Sequence, residues 1–323
     1  MSAEPDPERL AQAEALARQA PEPAVVDNLL MGTAGWTDRT LTEGQLFYPR
    51  GTNSASARLA HYARHFRLVE VDATYYSLLP SAMAARWIQC TPAEFVFDVK
   101  AFPIFTGHPI DVRRLPQDLR DACRSVCAAG RLYPNRLPTE LRREMERRFI
   151  GLVRPLHDAG RLGCVMVQYP PWFRATRGNA RQLESLRERL GGLPVGIEFR
   201  HASWLGAERS ERVFGLLRDH GFSYVGVDEP AARVGGLPPL TTVTHTRLAL
   251  VRFHGRNQAG WERKGASVHE RFDYLYQPDE LKSWVEGLRA LSEAAETVHA
   301  VFNNCLRNYA VLGAKGLAAL LSQ

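Results

Sequence analysis

VGIEFRHASW, Val195 to Trp204, is the stretch that decides the fold. Val195-Gly196-Ile197 is an apolar run of buried-strand type, and Glu198, Arg200 and His201 follow at once, with Trp204 closing the segment. A short run without polar alternation belongs to a strand covered on both faces, as in parallel α/β sheets. The ionisable groups at its carboxyl end must pair with each other or face a ligand, because an unpaired buried ion costs several kcal/mol. We read them as part of the floor of a pocket; a structural Glu–Arg pair at a strand terminus is the bland alternative.

Seven further runs of this type accompany it. LLMGTAG (Leu29–Gly35), FRLVEVDATYY (Phe66–Tyr76), FVFDVKAF (Phe95–Phe102) and LGCVMVQYP (Leu162–Pro170) precede it; FSYVGVDEP (Phe222–Pro230), LALVRFHG (Leu248–Gly255) and VHAVFNNC (Val298–Cys305) follow. Helical stretches lie between them, of which PDELKSWVEGLRALSEAA is the clearest amphipathic case. Eight buried strands alternating with helices predict an α/β fold, a (β/α)8 TIM barrel, as one domain over residues 29–323. An open doubly wound sheet competes, but no strand-linked GxGxxG or GxxxxGK(S/T) loop is present.

Two segments are set apart. Residues 1–28, rich in Ala, Pro and Glu, read as a flexible leader with a short helix, Pro7 to Gln19, before a Pro-rich linker. Residues 106–150, with several prolines and the basic helix LRREMERRF, read as a helical insertion after the third strand.

Composition narrows the class. The chain has 323 residues, 45% hydrophobic, enough for a large core. A formal charge of +6 and a pI near 9.2 tilt it towards anionic partners, a phosphorylated metabolite or nucleic acid. Five cysteines without a CxxC pair argue against a disulfide framework or a zinc ribbon; Cys123 and Cys127 read as helix-face residues. No run of eighteen apolar residues and no signal-type N-terminus is present, so a cytoplasmic location without membrane partner is expected. Nothing in the sequence sets an oligomeric state.

Barrel proteins carry their chemistry at the carboxyl ends of the strands. There stand Trp36, Asp72, Tyr75, Lys100, Gln168, Glu198, Arg200, His201, Asp228, Arg252, His254, Asn303 and Asn304, with His108 in the loop after the third run and Trp204 after the fifth. With period two, Arg252 and His254 share a face, as do Asp98 and Lys100, and Asp72 and Thr74. Lys100, Arg200 and Arg252 suit a phosphate, sulfate or carboxylate. Glu198 and Asp228 are candidates for an acid/base pair, with His254 and Asp72 beside them. The same Glu198, Asp228, His254 and Asp72 have the residue types of a divalent-metal site, a cofactor reading disfavoured by the neighbouring cations. Ser203 lacks a glycine-rich elbow and Cys164 and Cys305 sit in or at the ends of buried runs, against nucleophilic catalysis.

The motifs GTAGW with FYP, VEVDATYY with Leu79-Pro80, FVFDVKAF with Thr106 and His108, LGCVMVQYPPWF, VGIEFRHASW, VDEP, VRFHGRN and FNNCLRNYAVLGAKGL occur in this order. The chain thereby resembles the YecE-like family, domain of unknown function seventy-two, which implies a barrel fold and no particular reaction. It departs from the family in reading Thr106-Gly107-His108 where Thr-His is usual, and in its arginine-rich segment around Cys123 to Phe149. A looser likeness is to the barrels of endonuclease IV and xylose isomerase.

Three functions follow as expectations. The first is an enzyme, of hydrolase or isomerase type, acting on a small anionic, phosphorylated or sugar-like substrate by carboxylate acid/base chemistry. The second is a nucleic-acid-binding or phosphodiester-processing protein, in which the helix Arg142–Arg148 and the loop Arg256–Lys264 form one electropositive face and Trp261 stacks a base. The third keeps the pocket as a ligand-binding protein without turnover.

Overall fold

A computed structural model describes residues 6–43, 45–124, 130–206, 208–230, 239–263 and 265–323, and of Val268 and His269 the backbone alone. Cys127 and Lys264 lie outside the described residues. The eight apolar runs form eight parallel strands: β1 (Leu29–Ala34), β2 (Leu68–Val71), β3 (Val96–Lys100), β4 (Leu162–Gln168), β5 (Val195–Glu198), β6 (Ser223–Asp228), β7 (Ala249–Phe253) and β8 (Val298–Phe302). Each pairs with the next, and β8 pairs with β1, so the sheet closes into a (β/α)8 barrel. Closure leaves no open edge and lets the inward side chains of all eight strands meet. Val25–Val26 adds a short antiparallel strand against β1.

Helices α1 (Pro7–Ala17), α2 (Ala55–His65), α3 (Ala82–Gln89), α4 (Thr139–Asp158), α5 (Arg177–Glu184), α6 (Ser210–Asp219), α7 (Val285–Ala294) and α8 (Tyr309–Leu321) surround the sheet. The outer core between strands and helices is aromatic-rich, with Phe66, Phe95, Phe97, Phe149, Phe199 and Tyr62 all shielded from solvent. At Gly32, a β-carbon would come 2.3 Å from the Leu68 carbonyl oxygen, so the close approach of β1 to β2 requires glycine there.

Three expectations are corrected. The short helix expected within the leader is present as α1, capped by Asp6 on the Glu8 amide, but with Ala13, Leu16 and Ala17 buried it is packed rather than flexible. Ala13 and Ala17 pack with Leu275, Leu306, Tyr309 and Leu312. The basic helix assigned to an insertion is the first half of α4, the barrel helix between β3 and β4, buried through Met145, Phe149, Leu152, Val153 and Leu156. Between β3 and α4 the chain also forms the short antiparallel pair Ile110–Asp111 with Arg131–Leu132. Finally, Tyr75 and Tyr76 do not continue β2: Ala73–Tyr76 is a helical turn that opens the rim.

Candidate functional site

Alternation along the strands decides which ends face the lumen. On β7, Leu250 packs with Cys164, Met166 and Val225 inside the barrel, so Arg252 and His254, two and four residues on, turn the same way. On β5 the same face carries Gly196, Glu198 and Arg200, and Gly196 lies against Cys164, Val225 and Leu250. The register Glu70–Asp98 and Val71–Val99 between β2 and β3 brings Asp72 level with Lys100.

Glu198 is the hub of this mouth. Its Oε1 accepts from Arg200 Nη1 at 3.0 Å and from His254 Nε2 at 3.1 Å, and its Oε2 from Arg252 Nη1 at 2.5 Å. Arg252 also donates to Gln168 Oε1 at 3.1 Å and to Glu70 Oε1 at 2.6 Å. Arg200 reaches Glu229 at 3.1 Å and lies over the Trp261 ring, 4.9 Å from its centroid. Asn303 Nδ2 donates to His254 Nδ1 at 3.0 Å, which leaves Nε2 of the neutral ring to donate to Glu198.

The charges of these groups follow from their surroundings. Burial works against an ionised Glu198, but Arg252, His254 and Arg200 outweigh it and hold the carboxylate well below its usual range. Burial lowers His254 to about 3, with Arg200 adding to the effect. Burial raises Glu70 and Asp72 against the pull of Arg252 and Lys100. Burial and then Arg252 lower the Lys100 ammonium. The Lys100 ammonium has no hydrogen-bond partner among the described residues; its Nζ lies over the Tyr75 ring, 4.9 Å from the centroid. Glu70 Oε2 is likewise buried without a partner.

The mouth therefore unites Asp72, Tyr75, Lys100, Gln168, Glu198, Arg200, Arg252, His254 and Asn303. His108 joins its rim: it lies 2.8 Å from Thr106 Oγ1 through Nδ1 and edges onto the rings of Tyr75 and Trp172 at 5.3 and 5.6 Å.

Five expected residues lie elsewhere. Asp228 stands on the β6 face opposite Val225 and binds Arg256 at 2.8 and 2.5 Å, Tyr276 at 2.9 Å and Trp284 at 2.6 Å, so both its oxygens are committed behind the barrel wall. Trp36 is buried, donating to the Ala55 carbonyl and packing edge-on to Trp87. Trp204 donates to the Phe173 carbonyl in a stack with Phe199. His201 caps its own turn by accepting from the Ser203 amide. Asn304 holds the Tyr274 carbonyl at 2.8 Å.

Glu70, Glu229 and Trp261 belong to the site as well: the sequence places Glu70 and Glu229 among the strand-end polar groups without a role, and Trp261 in the loop after the seventh strand. Period two contained the signal: Glu70 lies two residues before Asp72, and Glu229 has the parity of Val225, which Asp228 lacks. Among the described residues, no group of three His, Cys, Asp or Glu side chains is arranged to hold a metal ion. No described helix is long and apolar enough to cross a membrane.

The electropositive face expected for nucleic acid is neutralised in part, at Arg147, Arg148, Arg256 and Arg263 but not at Arg142 and Arg143. Arg147 pairs with Glu144 at 2.7 Å, and Arg148 pairs with both Glu144 and Asp118. Arg256 is held by Asp228, and Arg263 by Glu270 at 3.1 Å. Helix α4 and the loop after β7 also hang from strands four apart in the barrel.

The family model described as "Protein of unknown function DUF72" matches residues 30–323. The chain belongs to the DUF72 family. Within that group it is 29% identical over 279 residues to UPF0759 protein YunF of Bacillus subtilis, covering 85% of this chain and 88% of the relative. It is 24% identical over 300 residues to UPF0759 protein YecE of Escherichia coli K12, covering 84% and 93%. Two crystal structures of DUF72 family proteins share the architecture. One, from Enterococcus faecalis V583, has a TM-score of 0.73 at 26% identity, over 91% of this chain and 96% of that one. The other, from Thermotoga maritima MSB8, has a TM-score of 0.71 at 29% identity, over 91% and 99%.

Proposed function

We propose that the barrel mouth binds a small anionic, oxygen-rich substrate, phosphorylated or sugar-like, and moves a proton on it through Asp72 and Lys100. One observation carries this reading: Lys100 is a cation at the mouth with no hydrogen-bond partner among the described residues, while Arg200 and Arg252 beside it are paired. An unpartnered ammonium in a partly desolvated site is stabilised by an incoming anion.

The committed oxygens of Glu198 and Asp228 argue against the acid/base pair read from sequence. A carboxylate that accepts from two guanidiniums and an imidazole N–H is a poor proton acceptor, so Glu198 is assigned to positioning Arg200, Arg252 and His254. Asp72 is partly exposed and its proton affinity is raised, which moves it towards the range a general base needs. Lys100, level with it on the adjacent strand, would neutralise the oxyanion that forms when a proton leaves the carbon beside a carbonyl. Tyr75, His108 and Trp261 supply flat walls suited to a sugar ring. This is isomerase-type chemistry.

The test is a thermal-shift screen of sugar phosphates, sugar acids and neutral sugars on wild type, Lys100→Met and Asp72→Asn, followed by solvent-deuterium exchange into any ligand found. Anionic ligands should raise the melting temperature of the wild type. Lys100→Met should abolish the rise, and Asp72→Asn should keep binding but stop exchange. A rise that persists unchanged in Lys100→Met, or one produced equally by neutral sugars, would overturn the reading.

A further inference from the structure

Beside the mouth, between α4, α5 and the loop after β4, lies a cavity of about 850 Å³, within the size range of small-molecule sites. Only four large hydrophobic side chains among the described residues are exposed, and two of them, Tyr133 at 44% and Trp172 at 56%, line this one cavity. Aromatic faces left in water beside a cavity mark a binding surface more often than a packing defect.

The polar lining is equally unusual. Three guanidiniums, from Arg142, Arg143 and Arg189, face two carboxylates, from Glu146 and Glu188. Arg189 and Glu146 satisfy each other at 2.6 Å, and Glu188 is exposed at the edge. Arg142 and Arg143 have no carboxylate within 4 Å among the described residues, in contrast to Arg147 and Arg148 one turn further along the same helix. The Asn135 and Gln182 amides line the cavity as well, while Asn179 is occupied by the Arg174 carbonyl at 2.7 Å.

We propose that this cavity is a nucleoside-phosphate site: Arg142 and Arg143 bind the phosphate, Trp172 and Tyr133 stack the base, and the Asn135 and Gln182 amides read its edge or the sugar hydroxyls. Guanidiniums match phosphate oxygens in pairs, and a planar base offers the aromatic contact that a bare phosphate or sugar phosphate lacks. The site stands apart from the barrel mouth and does not depend on the chemistry proposed there; the two adjoin at His108, which meets Trp172 and Thr106 of the cavity lining.

The experiment is calorimetric titration of the full chain with 5′-AMP, adenosine, ribose 5-phosphate and inorganic phosphate. Wild type, Trp172→Ala, the double variant Arg142→Ala/Arg143→Ala and Lys100→Met are compared. AMP should bind saturably and more tightly than each of the other three. The double arginine variant should weaken AMP about tenfold or more while leaving adenosine unchanged, and Trp172→Ala should weaken AMP and adenosine alike. Lys100→Met should leave AMP binding intact, which separates this site from the mouth. Ribose 5-phosphate binding as tightly as AMP, AMP binding unaffected by the arginine and tryptophan variants, or no saturable AMP binding would each overturn the proposal. Affinity for oligonucleotides that grows with their length beyond that for AMP would also overturn it, in favour of single-stranded nucleic acid. Trp172, Arg142 and Arg143 make no ion pair among the described residues, so a circular dichroism melt matching wild type is the expected control for their variants.

Discussion

Arg252 and Glu70 meet 2.6 Å apart with neither side chain exposed to solvent, joining β7 to β2 through the lumen. Because water cannot replace either partner, removing one leaves an uncompensated buried ion. Arg252→Met is expected to lose about 3–5 kcal/mol, read from the urea midpoint. The double variant Arg252→Met/Glu70→Gln should lose less than the two single losses added together. Simple additivity would mean that the pair is energetically independent despite its geometry.

Lys100 should behave in the opposite way. A cation that burial disfavours and that has no hydrogen-bond partner among the described residues contributes little to the fold. Lys100→Met is expected to be neutral or stabilising by about 1 kcal/mol while removing the thermal response to anions. A large loss of stability would assign Lys100 to the ion network.

Asp228 provides the contrast. It ties Arg256, Tyr276 and Trp284 together behind the wall, so Asp228→Asn should lower stability by roughly 2–4 kcal/mol. The response to anionic ligands, measured below the new melting temperature, should survive. Loss of that response at unchanged stability would return Asp228 to the reacting groups.

Acid should weaken the rim through His108. Burial, with Lys100 and Arg200 nearby, lowers its pKa from 6.5 to about 4. Between those values the unfolded chain holds the proton and the folded chain does not, so stability falls as pH drops through this window. The slope is at most about 1.4 kcal/mol per pH unit for this group. His108→Gln should flatten that part of a stability-against-pH profile measured by denaturant titration; an unchanged slope would assign the acid sensitivity to other groups.

Helix α1 supplies a packing test. Leu16 is buried and reaches within 3.2 Å of where a β-carbon on Gly316 of α8 would stand. Leu16→Ala should cost about 2–3 kcal/mol, measured as a shift in melting temperature. A loss near zero would show that α1 rests on the barrel without contributing to it.

The barrel was legible because parallel strands are buried on both faces and therefore appear as uninterrupted apolar runs. The mouth was legible where parity could be counted along a strand, as for Arg252 and His254. It was misread at β6, where proximity to the strand end favoured Asp228 although the face containing Val225 continues to Glu229. Helix α4 was cut short in the reading because its first two turns present mostly arginines and glutamates, and its fully buried stripe begins at Met145. The docking of α1 depends on Leu275, Leu306 and Tyr309, partners nearly three hundred residues away that no local pattern announces.

The ion network under the mouth has a consequence for how this protein can change. Glu198 serves Arg200, Arg252 and His254 at once, and Arg252 serves Glu70 and Gln168 as well. An exchange at any one of these positions strands the charges of several others, so acceptable changes must arrive as compensating sets. Arg142, Arg143 and Trp172 carry no such obligations and can be replaced singly. The floor must therefore change as a block, whereas a change in the lining of the neighbouring cavity strands no buried charge.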